Sequence, residues 1–194
     1  MTPRAKSLSP DARRAALVEA TVPLLVAHGS AITTKQIADA AGVAEGTIFR
    51  VFDSKDDLVL AAVEKALDIE PFLAELESID ADRELAVVLL DIVTRMQHRF
   101  SEIFTLMSAM AMTGPPKSHK HMEEGRRRGE LLTVALIQPH AAELAVSPVE
   151  LAKLLRLLTF SGSHPHLSDG QPLSPEQIVS VLLNGTLRTQ GRDS

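Results

Sequence analysis

The chain has no cysteine, no tryptophan and no tyrosine among its 194 residues. Without cysteine, disulfides, zinc fingers and thiol catalysis are excluded, and a reducing compartment would suit the protein. Aromatic residues amount to 3%, all of them phenylalanine. Leu, Ala and Val carry the apolar load instead, a mix that favours helices over strands. No apolar run approaches the ~20 residues of a membrane span. The stretch Met1 to Pro10 is polar and lacks the apolar segment of a signal peptide, so a soluble, cytoplasmic protein with no membrane partner is expected. There is no glycine-rich phosphate loop and no nucleophile elbow, so neither an enzyme nor a cofactor is expected. There is also no excess of basic charge: the net charge is −5. Residues 1–66 hold eight Lys/Arg and eight Asp/Glu, so the acidic excess lies in the remainder. Bulk charge therefore does not announce a nucleic-acid binder.

What is present is a helical pattern. With 45% hydrophobic and 23% charged residues the chain is globular. Leu17, Ala20, Leu24 and Leu25 lie at helical spacing between Asp11 and His28, and Gly29 stops that helix. Pro23 sits inside it and should kink it or loosen one turn. Thr33 and Gln36 read as a capping box for a short helix ending at Ala41-Gly42. A second short helix, about Glu45 to Phe52, follows a tight turn. Ser54, with Asp57 three residues on, caps a third that runs to about Leu67. After Pro71 the helices lengthen. Leu85, Val88, Leu89, Ile92, Met96 and Phe100 mark one apolar face, and Ile103, Phe104, Met107 and Met110 the next. Thr113 to Pro116 reads as a loop. A helix from about Lys120 to Gln138 follows, then one opened by Ser147 with Pro148 at its first position and ending near Ser161. Ser174 caps the last, to about Arg188.

The stretch from Gly29 to Leu58 carries the function. Two short helices meet at a sharp turn, where Gly42 supplies a left-handed residue and Val43 fills the small space between them. Ile37 and Ala38 face inward from the first helix; Ile48, Phe49 and Phe52 form the apolar side of the second. This is the pattern of a helix-turn-helix, whose second helix enters the DNA major groove.

These residues resemble the DNA-binding domain of the TetR (tetracycline-repressor) family. The matching positions are Thr33-Thr34, Ile37-Ala38, Ala41-Gly42-Val43, Gly46-Thr47-Ile48-Phe49, Phe52 and Ser54-Lys55-Asp56-Asp57-Leu58, about a third of the chain. The resemblance implies an all-α fold: a three-helix DNA-binding domain, then a larger helical domain for effector binding and dimerisation. It places the first domain at residues 10–67, with the helix-turn-helix at about 33–52 and a connector helix at 55–67, and the second domain at 72–190. It further implies a homodimer on a palindromic double-stranded operator, repressing until a small effector binds. Three positions depart from the family: Phe49 stands where Tyr is usual, Val51 where Tyr or His is common, and Ala44 where Ser or Thr caps the recognition helix. The first two lack side chains that reach phosphate, and an Ala cap typically costs ~1 kcal/mol. A helical small-molecule-binding or scaffold protein with weakened DNA affinity is the alternative reading.

The expected DNA-contacting residues are Thr33, Thr34, Lys35, Ala44, Glu45, Gly46, Thr47, Phe49, Arg50 and Lys55. Arg50 is the candidate for base readout, since arginine grips guanine O6 and N7 bidentately, with a phosphate contact as the plainer role. Lys55 should meet a phosphate. Thr33 and Thr34 open a helix whose free amides suit an anion. Met96, Phe100, Phe104, Met107 and Met110 are core or, if an effector enters, its apolar walls, with Thr94, Gln97, His98 and Ser108 as inward polar groups. Such a pocket should take a mostly apolar ligand with one or two polar handles. Leu151, Leu154, Leu155 and Leu158 on one helix and Ile178, Val181, Leu182 and Gly185 on the next are the expected dimer interface. His119, His121, His164 and His166 lack an acidic third ligand at helical spacing, so no metal site is expected. Arg126, Arg127 and Arg128 read as a solvated face paired with Glu123 and Glu124.

Overall fold

A computed structural model describes residues 9–111 and 119–186, with backbone alone at 119–122 and 186. Eight α-helices occur among them, without a β-strand. They fall into two compact units: residues 9–68 with 105–111, and residues 69–104 with 119–186.

The first unit holds α1 (Pro10–His28), α2 (Thr34–Ala41), a 3-10 segment (Glu45–Arg50) and α3 (Lys55–Ala66). Its helix starts are set by side chains. Thr33 and Gln36 form the reciprocal capping box and Ser54 accepts from the Asp57 amide, as the sequence predicts; Ser9, which accepts from the Ala12 amide, is a further cap. Gly42 adopts φ 66°, ψ 33°, the left-handed cap that turns the chain. Gly29 has φ 59°, and a Cβ there would lie 2.1 Å from the Ala109 carbonyl oxygen, so no other residue fits. Pro23 does not end α1, which runs on to His28. Leu17, Leu25, Ile32, Ile37, Ile48 and Leu58 are fully buried and form the core, joined by Leu106.

The second unit holds α4 (Glu70–Glu77), residues 85–104 of α5 (Leu85–Ala109), α6 (His119–Ile137), α7 (Pro148–Ser163) and α8 (Pro175–Thr186). The α4 helix is additional to the elements expected from sequence; Pro71 starts it and Leu73 and Leu76 bury its inner face. It packs closely on α6, where a Cβ on Gly125 would meet Ile69 Cγ2 at 2.9 Å. The two apolar faces expected over 85–110 belong to one unbroken helix, whose residues 105–109 join the first unit although they lie within the range assigned to the second domain.

Two expectations for this unit need correction. Leu151, Leu155, Ile178 and Leu182 lie in the unit's own core, so they cannot meet a second copy. Each helix has an inner apolar row that fills its own bundle, and spacing alone does not separate it from an outer one. Of the expected interface, Leu154 and Val181 are exposed, Leu158 is half-buried, and Gly185 is exposed on α8. The outer faces of α7 and α8 also show Val149, Leu157 and Phe160. The Met-Phe stripe is likewise divided. Met96 is buried in the second unit's core, with Phe100 packed against it, while Met110 packs with the first unit's core and Met107 is half-buried.

The polar residues expected to face inward mostly do not. Thr94, His98 and Ser108 are exposed, and Thr94 hydrogen-bonds its own helix at Leu90. Gln97 is half-buried, but its amide donates to Ser163 Oγ (3.2 Å) and to the Leu173 carbonyl (2.8 Å), holding the α7–α8 connection. The basic run is paired, in part as expected: Arg127 pairs with Glu124, while Arg126 pairs with Glu130 and Arg128 with Glu70. The Arg127 guanidinium, hydrogen-bonded to Glu124, holds that carboxyl below its ordinary range. The side chains of His119, Lys120 and His121 lie outside the described residues. His164 packs edge-on against Phe104, ring centroids 4.6 Å apart, and no group of three metal-binding side chains occurs among the described residues.

Candidate nucleic-acid interface

The second element of the helix-turn-helix is a 3-10 segment, Glu45–Arg50, rather than the α-helix expected to Phe52. Its N-cap, Ala44, supplies no side-chain hydrogen bond to the first turn. The segment closes instead on i→i+3 bonds: the Thr47 amide to the Ala44 carbonyl (2.8 Å) and the Val51 amide to the Ile48 carbonyl (2.9 Å).

A 3-10 helix has three residues per turn, so positions i and i+3 eclipse. Three rows follow. Glu45, Ile48 and Val51 form the inner row: Ile48 is fully buried, Val51 packs on the core, and the Glu45 carboxylate accepts a hydrogen bond from the Thr34 hydroxyl of α2. Gly46 and Phe49 form a second row, Thr47 and Arg50 a third. Phe49 is 55% exposed, while Ile48 is 0% and Phe52 3% exposed. The sequence expectation that Phe49 packs with them is therefore wrong. An α-helical period of 3.6 places residues 48, 49 and 52 on one side; a period of three turns Phe49 out.

Two cations brace the helix-turn-helix, one at the end of this segment and one ahead of α2. Arg14 of α1 stacks its guanidinium 4.2 Å from the centre of the Phe52 ring and donates to the Val51 carbonyl at 3.4 Å. Lys55 points its ammonium at two backbone carbonyls, Ile32 at 3.0 Å and Ser30 at 3.3 Å. It thus ties the start of α3 to the segment leading into α2, and two of its three donors are already engaged. This bracing contact of Arg14 is one that sequence reasoning misses; an arginine near the start of an amphipathic helix carries no mark of its distant partner.

Lys35 and Arg50 are exposed and have no hydrogen bond or ion pair among the described residues. Lys35 stands in the first turn of α2, where the Thr34 and Lys35 amides have no partner within the helix. Arg50 ends the 3-10 segment. Thr33 is occupied with Gln36 and Thr34 with Glu45, so their hydroxyls position the element. The outward surface thus offers a cation and free amides at α2, a cationic row at Thr47-Arg50 and an apolar row at Gly46-Phe49. That set can receive phosphate at the first position and base edges at the others.

Residues 17–62, which span most of this unit, match the family described as "Bacterial regulatory proteins, tetR family". Solved structures share the fold over most of the chain. A TetR-family protein from Vibrio parahaemolyticus is similar at TM-score 0.59 and 15% identity, with 91% of this chain and 100% of that one covered. A TetR transcriptional regulator of Streptomyces coelicolor is similar at TM-score 0.54 and 20% identity, covering 92% and 99%. NalD, the secondary repressor of the MexAB-OprM multidrug efflux pump in Pseudomonas aeruginosa, is similar at TM-score 0.51 and 18% identity, covering 92% and 98%. At these identities the structural likeness shows the fold.

Proposed function

From the premise that the chain is a TetR-family DNA-binding transcription regulator by its N-terminal domain, we propose that it represses as a homodimer on a palindromic operator and is released by a small, mostly apolar effector. The observation that carries the DNA-binding half is the outward surface of the helix-turn-helix. Arg50 and Lys35 are exposed without partners among the described residues, and Lys35 stands beside the unpaired amides that open α2. In this reading Arg50 grips a guanine edge, Thr47 touches a neighbouring base or phosphate, and Lys35 with the Thr34 amide anchors a phosphate. Thr33, Glu45 and Lys55 keep these groups in place. Two-fold symmetric operators call for a two-fold symmetric protein, and the exposed apolar residues of α7 and α8 support such a pairing. Val149, Leu154, Leu157 and Val181 form the surface assigned to it.

The effector half rests on the Phe100-Phe104-Phe160 group of the second unit, whose rings pack at centroid distances of 5.1 to 6.2 Å and are each partly exposed. Aromatic and methionine walls suit an apolar ligand. Release requires the ligand to favour a conformation with low DNA affinity; equal affinity for both states shifts nothing.

A gel shift against the promoter next to its own gene tests the reading, followed by a thermal-shift screen of apolar compounds. A specific complex that a stabilising compound dissolves is the expected result. Absence of a specific complex, with stabilisation by apolar compounds intact, would replace the repressor by a helical small-molecule-binding protein.

A further inference from the structure

We propose that Phe49 reads sequence, its exposed ring packing on the C5-methyl of a thymine in the major groove, beside the base edge taken by Arg50. The inference rests on the DNA-binding reading of this domain. The ring stands 55% exposed on the outward row of the 3-10 segment, although the core directly behind it takes Ile48 and Phe52 completely. Water is a poor environment for a phenyl ring, and its own unit leaves more than half of this residue uncovered.

Gly46, eclipsed with Phe49 one turn earlier, gives a second and independent sign of a close partner. Its φ is not in the left-handed region, and a Cβ added there meets nothing within 4 Å. Neither backbone geometry nor internal packing demands glycine at that point. Bare backbone beside an exposed ring leaves room for a surface to approach both.

The chemistry of the groove identifies that surface. Phenylalanine has no donor or acceptor, so it can neither bond a phosphate nor pair with a base edge. On the major-groove edges of the four base pairs, the thymine methyl is the apolar group. The neighbouring row ends in Arg50, which suits guanine O6 and N7. The two rows side by side assign a thymine next to a guanine in each half-site.

The test begins by selecting binding sites for the full chain from random double-stranded DNA. Each enriched thymine is then replaced by deoxyuridine, which removes only the methyl, and dissociation constants are compared at fixed salt. At one thymine per half-site the replacement should weaken wild-type binding about fourfold, the fold-change expected for one buried methyl-sized group. Phe49→Ala should bind the thymine and deoxyuridine sites equally, and Phe49→Leu should retain part of the difference. Gly46→Ala should weaken binding to both sites without lowering the thermal midpoint of the protein. If sites enrich but no thymine matters, or if Phe49→Ala keeps the thymine preference, the assignment is overturned while DNA binding stands. If no sequence enriches, the DNA-binding reading fails and this inference goes with it.

Discussion

Replacing Lys55 by methionine keeps the aliphatic stem and removes the ammonium, which separates two roles for this residue. In the structure the ammonium donates to the Ile32 carbonyl at 3.0 Å and the Ser30 carbonyl at 3.3 Å. Ile32 is 1% exposed, so water reaches its surroundings poorly. A hydrogen bond from a charged donor contributes ~1.5–3 kcal/mol, and partial exposure of Lys55 lets water recover some of it, which leaves a net destabilisation of about 1–2 kcal/mol. For a chain of this size that lowers the thermal midpoint by roughly 2–8 °C. Differential scanning calorimetry reads the midpoint, and DNA affinity is measured over a range of salt. If Lys55 neutralised a phosphate, its removal would flatten the logarithmic salt slope by ~0.9 per protomer. The positional role predicts a lowered midpoint and an unchanged slope. An unchanged midpoint with a flattened slope would refute it and restore the phosphate partner expected from sequence.

Arg50→Ala should weaken operator binding by ~1–3 kcal/mol and relax preference at one base pair, read by anisotropy on single-substitution operators. Equal affinity of wild type and variant would remove Arg50 from base readout. Leu155→Ala, in the second unit's core, should cost ~2–5 kcal/mol of stability, measured by denaturant unfolding. Val181→Asp, on the exposed face of α8, should leave the midpoint in place and yield monomers by light scattering, and a dimer that survives it excludes that face. The salt slope of wild-type binding, for the proposed dimer, should be shallow, about −2 to −4, as for two to four neutralised phosphates, and a slope near −8 would require cations not assigned to the interface.

The parts legible in the sequence are those fixed by local rules. Thr33, Ser54, Ser147 and Ser174 each cap the helix assigned to them, because a hydroxyl satisfying a first-turn amide involves only neighbours in the chain. Gly42 turns the chain in the left-handed conformation for the same reason. The illegible parts depend on what lies across space. Glu45–Arg50 carries the composition of an α-helix, and three residues per turn instead of 3.6 decides that Phe49 faces out. Leu155 and Val181 are both apolar and both on the last two helices, yet one is buried and the other 61% exposed. Gln97 looks like a ligand handle in an apolar helix until its partners, Ser163 and the Leu173 carbonyl, stand 66 and 76 residues away.

A DNA-binding domain with no excess of positive charge needs another source of affinity, and the distribution of its cations suggests which. Arg14 is engaged with Val51 and Phe52, Lys55 with Ser30 and Ile32, and Lys65 with Asp68. Of the cations around the helix-turn-helix, Lys35 and Arg50 remain unpaired among the described residues, at the start of α2 and the end of the 3-10 segment. Binding to arbitrary DNA scales with the phosphates neutralised, so a protein that uses its cations for bracing holds non-specific DNA weakly. The acidic excess beyond residue 66 adds long-range repulsion of the backbone. Recognition of base edges is not diminished in the same way, because it depends on position and not on charge. Bracing Ile32, Val51 and Phe52 with cations therefore exchanges general attraction for a fixed reading surface. What that arrangement favours is the ratio of specific to non-specific affinity, the quantity that sets occupancy when competing sites are in great excess.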